Sequence, residues 1–144
     1  MSLSESAEVI IFGERLTQFK VRFNYDERVH RVWDTIEREF SDSQLRVPAV
    51  ARACAMSPRG LNQSLRLYVR LPFHRILTMY RVYRAACIII SRNESLLNVA
   101  LDVGLDLSSL ERNFSAYFGM TLRDFKRVSR ESLSGVCSTT LDGS

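Results

Sequence analysis

The sequence predicts an all-α fold: two helix-turn-helix units bridged by a long linker helix, behind a small N-terminal extension that reads as a β-hairpin. Three observations predict it. Sliding the chain against itself by 49 residues superimposes two helical-hairpin patterns. Residues 74–91 are apolar on most sides, as a central buried helix must be. Capping signals open nearly every helical stretch.

Residues 1–25 form the expected extension. Val9-Ile10-Ile11-Phe12 and Thr17–Phe23 read as short strands around Gly13-Glu14-Arg15, and Phe19, Val21 and Phe23 alternate with polar residues, the period of a half-buried strand. A lone hairpin is marginal in water, so it is expected to lie against the helical body or a partner. The helical domain is expected over residues 26–130. Asn24 is the expected cap of its first helix, with Glu27 three residues on, and Val29, Val32, Trp33, Ile36 and Phe40 trace one apolar face. Pro48 suits the first turn of a short helix through Cys54, because the N–H it lacks would be unpaired there. Ser57-Pro58 repeats that start signal for a helix through about Tyr68. The 74–91 helix follows, its Tyr80, Tyr83 and Ile88–Ile90 read as core. Ser95 opens a short helix to Val103. Ser108 and Glu111 read as a capping box for a helix that Gly119 closes, and Thr121 with Asp124 opens the last one. Residues 131–144 lack periodicity and are expected to be a disordered tail.

The internal repeat carries most weight. At the 49-residue offset Val50 meets Val99, Ala51 meets Ala100, Ala55 meets Gly104, Met56 meets Leu105, Leu61 meets Leu110, Leu65 meets Phe114 and Tyr68 meets Tyr117. A helix-turn-helix needs a small residue where its helices cross and a residue tolerant of positive φ in its tight turn. Later apolar positions bury the inner face of the second helix and leave its outer face free. Two such patterns at one register, joined by a buried helix, are far more specific than one.

Composition narrows the function. With 46% hydrophobic and 25% charged residues among 144, the chain has the balance of a globular protein. The longest apolar run, Ala85 to Ile90, is too short to span a membrane, and no secretory signal is expected, because Met1-Ser2-Leu3-Ser4-Glu5-Ser6 has neither a basic start nor an apolar stretch. Cys54, Cys87 and Cys137 make neither a disulfide framework nor a zinc site, so a reducing, cytoplasmic location is expected. His30 and His74 lack ligand-spaced partners, and no phosphate-binding glycine loop or nucleophile motif is present. No enzyme activity, metal or cofactor is therefore expected. Residues 44–130 hold fourteen basic and five acidic residues, a net of +9, between flanks of net −5. Arginine dominates, and it suits bidentate contact with phosphate or guanine.

Residues 44–127 resemble the DNA-binding domain of AraC/XylS-type bacterial transcription regulators. The resemblance rests on Val50-Ala51, Met56-Ser57-Pro58-Arg59, Leu61 and Leu65 in the first unit, and on Arg81 and Ala85 in the linker. In the second unit it rests on Leu96, Val99-Ala100, Gly104-Leu105, Ser108, Leu110, Arg112, Phe114, Phe118-Gly119 and Phe125-Lys126. Arg70 stands where the family has a glycine, and the usual proline near Phe73 has moved to Pro72. Leu122 replaces a proline and Lys126 an arginine, and the second turn is one residue shorter than the family norm.

The resemblance implies a sequence-specific regulator that binds double-stranded DNA and reads the major groove with two recognition helices. Its base-reading places fall on Arg59, Asn62 and Gln63, with Arg66 further along that face, and on Ser108, Ser109, Glu111 and Arg112 in the second helix. Of the latter, Ser109 and Arg112 are carried forward, because Ser108 and Glu111 are accounted for as a cap. Arg92, Arg123, Lys126 and Arg127 are candidate phosphate contacts near helix ends. Arg81 is expected to pair internally, and Cys54 and Cys87 to pack as small hydrophobes. The competing reading is a protein-interaction module that keeps the fold without reading DNA, its hairpin serving as a docking edge. RNA polymerase or another protein is a possible partner, and bacterial nucleoid association follows from the DNA reading. Residues 1–25 are too few for the ligand domain of larger family members, so no effector is expected to be needed.

Overall fold

The computed structural model describes residues 13–131. Among these residues are eight α-helices, one 3-10 turn and no strand. Helix α1 is described over residues 13–20 and passes into the 3-10 turn Val21–Tyr25. Then come α2 (Glu27–Glu39), α3 (Val47–Ala53), α4 (Pro58–Tyr68), α5 (Phe73–Ser91), α6 (Leu96–Asp102) and α7 (Leu107–Phe118). Helix α8 is described over residues 122–131.

The expected second strand at Thr17–Phe23 is helical instead. Leu16, Phe19 and Phe23 fall at i, i+3 and i+7, which is one face of a helix. Leu16 and Phe23 are buried and Phe19 packs beside them, whereas Val21, required inside by a period-2 pattern, is 55% exposed. Aromatic packing selects the helix. Phe19 meets Phe23 edge-on at 5.7 Å, Phe23 lies 5.1 Å from Trp33, and Trp33 lies 5.7 Å from Tyr80 of α5. The other expected strand, at residues 9–12, and the tail from residue 132 onward lie outside the described residues.

Two caps also differ from the sequence reading. The cap of α2 is Asp26, whose carboxylate accepts from the amides of Arg28 and Val29. Asn24 remains in the 3-10 turn, where its Oδ1 lies 3.1 Å from the His30 ring. The cap of α7 is Asp106, which accepts from the Ser109 amide at 3.1 Å, so Ser108 and Glu111 form no capping box. Ser57 and Ser95 cap α4 and α6 as expected.

Helix α5 joins two cores. Phe73, Ile76, Leu77 and Tyr80 from its first half pack with α1 to α4, and Val82, Ala85, Ala86, Ile88 and Ile89 from its second half pack with α6 to α8. Burying its sides this way explains why the 74–91 segment is apolar on most sides. Arg81 lies at the changeover, 6% exposed, and donates to the carbonyls of Phe40 at 2.8 Å and Asp42 at 2.7 Å. Burial, and secondarily the Arg46 charge, lowers its pKa, yet a guanidinium stays protonated. It pairs internally, as expected. The same backbone segment meets the second unit: a Cβ on Gly104 would fall 2.8 Å from the Ser41 carbonyl oxygen and 3.0 Å from that of Phe40. The loop after α2 is therefore held between the linker arginine and the turn of the second unit. Phe40 touches both cores.

Candidate nucleic-acid interface

The turns of the two helix-turn-helix units, α3–α4 and α6–α7, repeat one another bond for bond. Each turn is four residues long, 54–57 and 103–106, so the second is not short beside the first. Cys54 N–H donates to the carbonyls of Val50 and Ala51, as Val103 N–H does to those of Val99 and Ala100. Met56 N–H reaches Ala51 at 2.8 Å and Leu105 N–H reaches Ala100 at 2.9 Å. Positive φ recurs in the turn, 58° at Ala55 and 80° at Gly104, and again past the second helix, 67° at Arg70 and 72° at Gly119. The caps match too, since Ser57 and Asp106 are one repeat apart.

On α4, Leu61 and Leu65 are fully buried, and this turns Arg59, Asn62, Gln63 and Arg66 outward on the opposite face. That set follows i, i+3, i+4 and i+7 spacing, so one helix face gathers two guanidiniums and two amides. All four are exposed, and among the described residues none of them has an ion-pair partner. An unneutralised arginine flanked by amides can pair bidentately with guanine, and the amides with adenine.

On α7, Leu110 and Phe114 are buried, and Ser108, Glu111 and Arg112 are the exposed counterparts of Arg59, Asn62 and Gln63. Glu111 brings a negative charge to this face. Ser109 is half-buried, and its hydroxyl donates to the Asp106 carboxylate at 2.6 Å, so it serves the cap. That hydroxyl, followed by the Ser109 amide, holds the Asp106 carboxyl below the usual range. Counting from the repeat, Ser109 corresponds to Gly60, which lies outside the exposed set on α4.

The proposed phosphate contacts divide. Arg123 is exposed with no ion pair among the described residues. Arg92 lies 3.6 Å from Glu94, and Arg127 lies 3.5 Å from Asp124 and 3.6 Å from Glu131, but both remain largely in solvent. Lys126 is half-buried and donates to the Glu94 carbonyl at 2.8 Å, while Arg130 donates to the carbonyls of Ile89 and Arg92. These last two fasten α8 to the end of α5 and to the loop that follows it. Cys54 is buried, and burial raises its thiol pKa. No helix among the described residues is long and apolar enough to cross a membrane.

A family model described as a helix-turn-helix domain matches residues 50–128. No curated protein matches the sequence. Among solved structures, a DNA-binding transcriptional dual regulator from Escherichia coli K-12 is similar at 26% identity and a TM-score of 0.66, over 74% of this chain and 94% of that one. The C-terminal domain of AraT, a response regulator from Geobacillus stearothermophilus, aligns at 24% identity and a TM-score of 0.67, over 71% of this chain and 85% of that one. An AraC-type transcriptional regulator from Chromobacterium violaceum shares the fold at 16% identity and a TM-score of 0.65, over 71% and 91%.

Proposed function

Given that the chain belongs to the AraC-type helix-turn-helix family, we propose that it is a transcription regulator that binds double-stranded DNA sequence-specifically, with α4 as its principal reading helix. The observation that carries this is the α4 face, where Arg59, Asn62, Gln63 and Arg66 are exposed together with no carboxylate paired to them among the described residues. In the major groove their chemistry suits guanine and adenine edges. Arg112 on α7 supplies a second, weaker reading point. Arg123, Arg92 and Arg127 serve the phosphates, which position a protein without specifying sequence. Lys126, tied to Glu94, contributes less to that set. The linker α5 sets the units about one duplex turn apart, ~10 base pairs, on one side of the DNA. Because the units differ in sequence, a single chain reads an asymmetric site.

Selection of bound sequences from a random duplex pool, followed by fluorescence anisotropy across a salt series, tests the reading. With ~5–8 phosphates neutralised, the log–log slope is about −0.9 per contact. An enriched motif and a steep slope are expected. A flat salt response with no enriched motif would sink the DNA reading and leave a helix-turn-helix module that binds protein.

A further inference from the structure

The end of α4 carries a feature that base reading does not absorb. Arg70, just past the helix, has φ of 67°, in the left-handed region where a side chain is strained. Its counterpart one repeat later is Gly119, with φ of 72°, so the backbone plan calls for glycine at this point. The Arg70 N–H donates to the Leu65 carbonyl at 2.6 Å, a closing bond that glycine would make equally well. The side chain is exposed and has no ion-pair partner among the described residues.

That side chain lines a hollow with Asn62, Arg66, Leu71 and Pro72, and an adjoining one with Gln63, Arg66 and Leu67. Among the described residues no carboxylate lines either. Arg22 donates to the Val69 carbonyl at 3.4 Å, placing a third guanidinium at the same helix end. Three like charges converge where the backbone is already strained. A partial negative charge at the helix C-terminus offsets some of that, but any cation on an unstrained residue nearby would serve it equally.

We propose that Arg70 is a phosphate-binding residue: with Arg66 it forms a cradle for the DNA backbone phosphate flanking the bases that α4 reads. The strained φ is retained because it holds the guanidinium beside the reading face, where glycine would leave a bare turn. This proposal rests on the DNA reading above.

The test compares wild type with Arg70→Gly, Arg70→Asn and Arg70→Lys, on the duplex selected from the random pool and on an unrelated duplex of equal length. Glycine and asparagine both accept positive φ and lack charge; lysine keeps the charge. Arg70→Gly and Arg70→Asn should weaken binding to both duplexes by one common factor of about three to ten and lower the salt slope by about 0.9. Arg70→Lys should keep the slope, and Arg70→Gly should raise the Tm by about 3 °C. Wild-type affinity and slope in Arg70→Gly would overturn the cradle while leaving the DNA reading intact. A loss confined to one base pair would make Arg70 a base reader instead, and a lowered Tm in Arg70→Gly would make it a structural cap; either overturns the proposal. Failure of the wild type to bind either duplex would remove both readings.

Discussion

At matched positions of the two units, α4 presents Arg59, Asn62 and Gln63 where α7 presents Ser108, Glu111 and Arg112. The backbones beneath them are alike: same turn length, same amide-to-carbonyl bonds within the turn, positive φ at the same two places. The residues at those two special places are exchanged, however. Glycine occupies both in the second unit, and Ala55 and Arg70 occupy them in the first. The difference follows from surroundings. Gly104 lies against the carbonyls of Phe40 and Ser41 and has no room for a Cβ, whereas Ala55 is exposed and has only its own φ to contend with. One backbone plan thus supports a turn closed against a neighbouring backbone in the second unit and a turn open to solvent in the first.

The sharpest test of that contrast exchanges the turn residues. Gly104→Ala combines a left-handed φ with a clash against backbone and should destabilise by about 3 kcal/mol, the upper end for one strained residue. Ala55→Gly should instead stabilise by about 0.5–1 kcal/mol, relief of the left-handed penalty outweighing the added chain entropy. Urea denaturation of both variants checks this. Equal and opposite effects of similar size would mean that the Phe40–Ser41 contact contributes nothing.

Next in size is the division of labour on DNA. Arg59→Ala and Gln63→Ala should each cost about 1–3 kcal/mol of binding and relax preference at one or two adjacent base pairs. Arg112→Ala should cost less, and Ser109→Ala should leave base preference unchanged, because its hydroxyl serves the cap. A base-by-base substitution scan of the selected site reads each directly. Equal information in both half-sites would break the comparison.

The smallest effect separates the two caps by pH. Asp106 has a lowered folded-state pKa, so the stability it adds to α7 is fully present above the ordinary carboxylate range and fades as pH falls through its depressed value. The hydroxyl cap of Ser57 on α4 does not titrate in that range. In an acid titration followed by amide NMR, the Ser109 resonance should move with the Asp106 carboxyl while that of Gly60 stays still. Parallel movement of both would show a global change instead.

How far this was legible can be seen residue by residue. The bounds of α4 to α6, the Ser57 and Ser95 caps and the inward-facing apolar positions follow from local pattern, because propensity, capping and burial agree there. The Asp106 cap was also within reach, since the 49-residue offset that aligns the helices sets it upon Ser57. Ser108 with Glu111 competes with Asp106 because two polar residues two positions apart can each cap, and only the backbone φ and ψ at the helix start decide between them. Asn24 and Asp26 pose the same ambiguity. At Thr17–Phe23 two periods compete in one short run, so pattern alone favours neither.

The sequence by itself determined the double helix-turn-helix plan, the buried linker and the outward set on α4. These depend on which residues lie three or four apart, and a helix places such residues on one face. Tertiary structure alone decided that Phe23 packs against Trp33 to make residues 13–25 helical, that Arg81 holds the loop after α2 on one side, and that Gly104 abuts it on the other. Those contacts join residues far apart in the chain through backbone carbonyls, and a carbonyl carries no signature in the residue type that bears it.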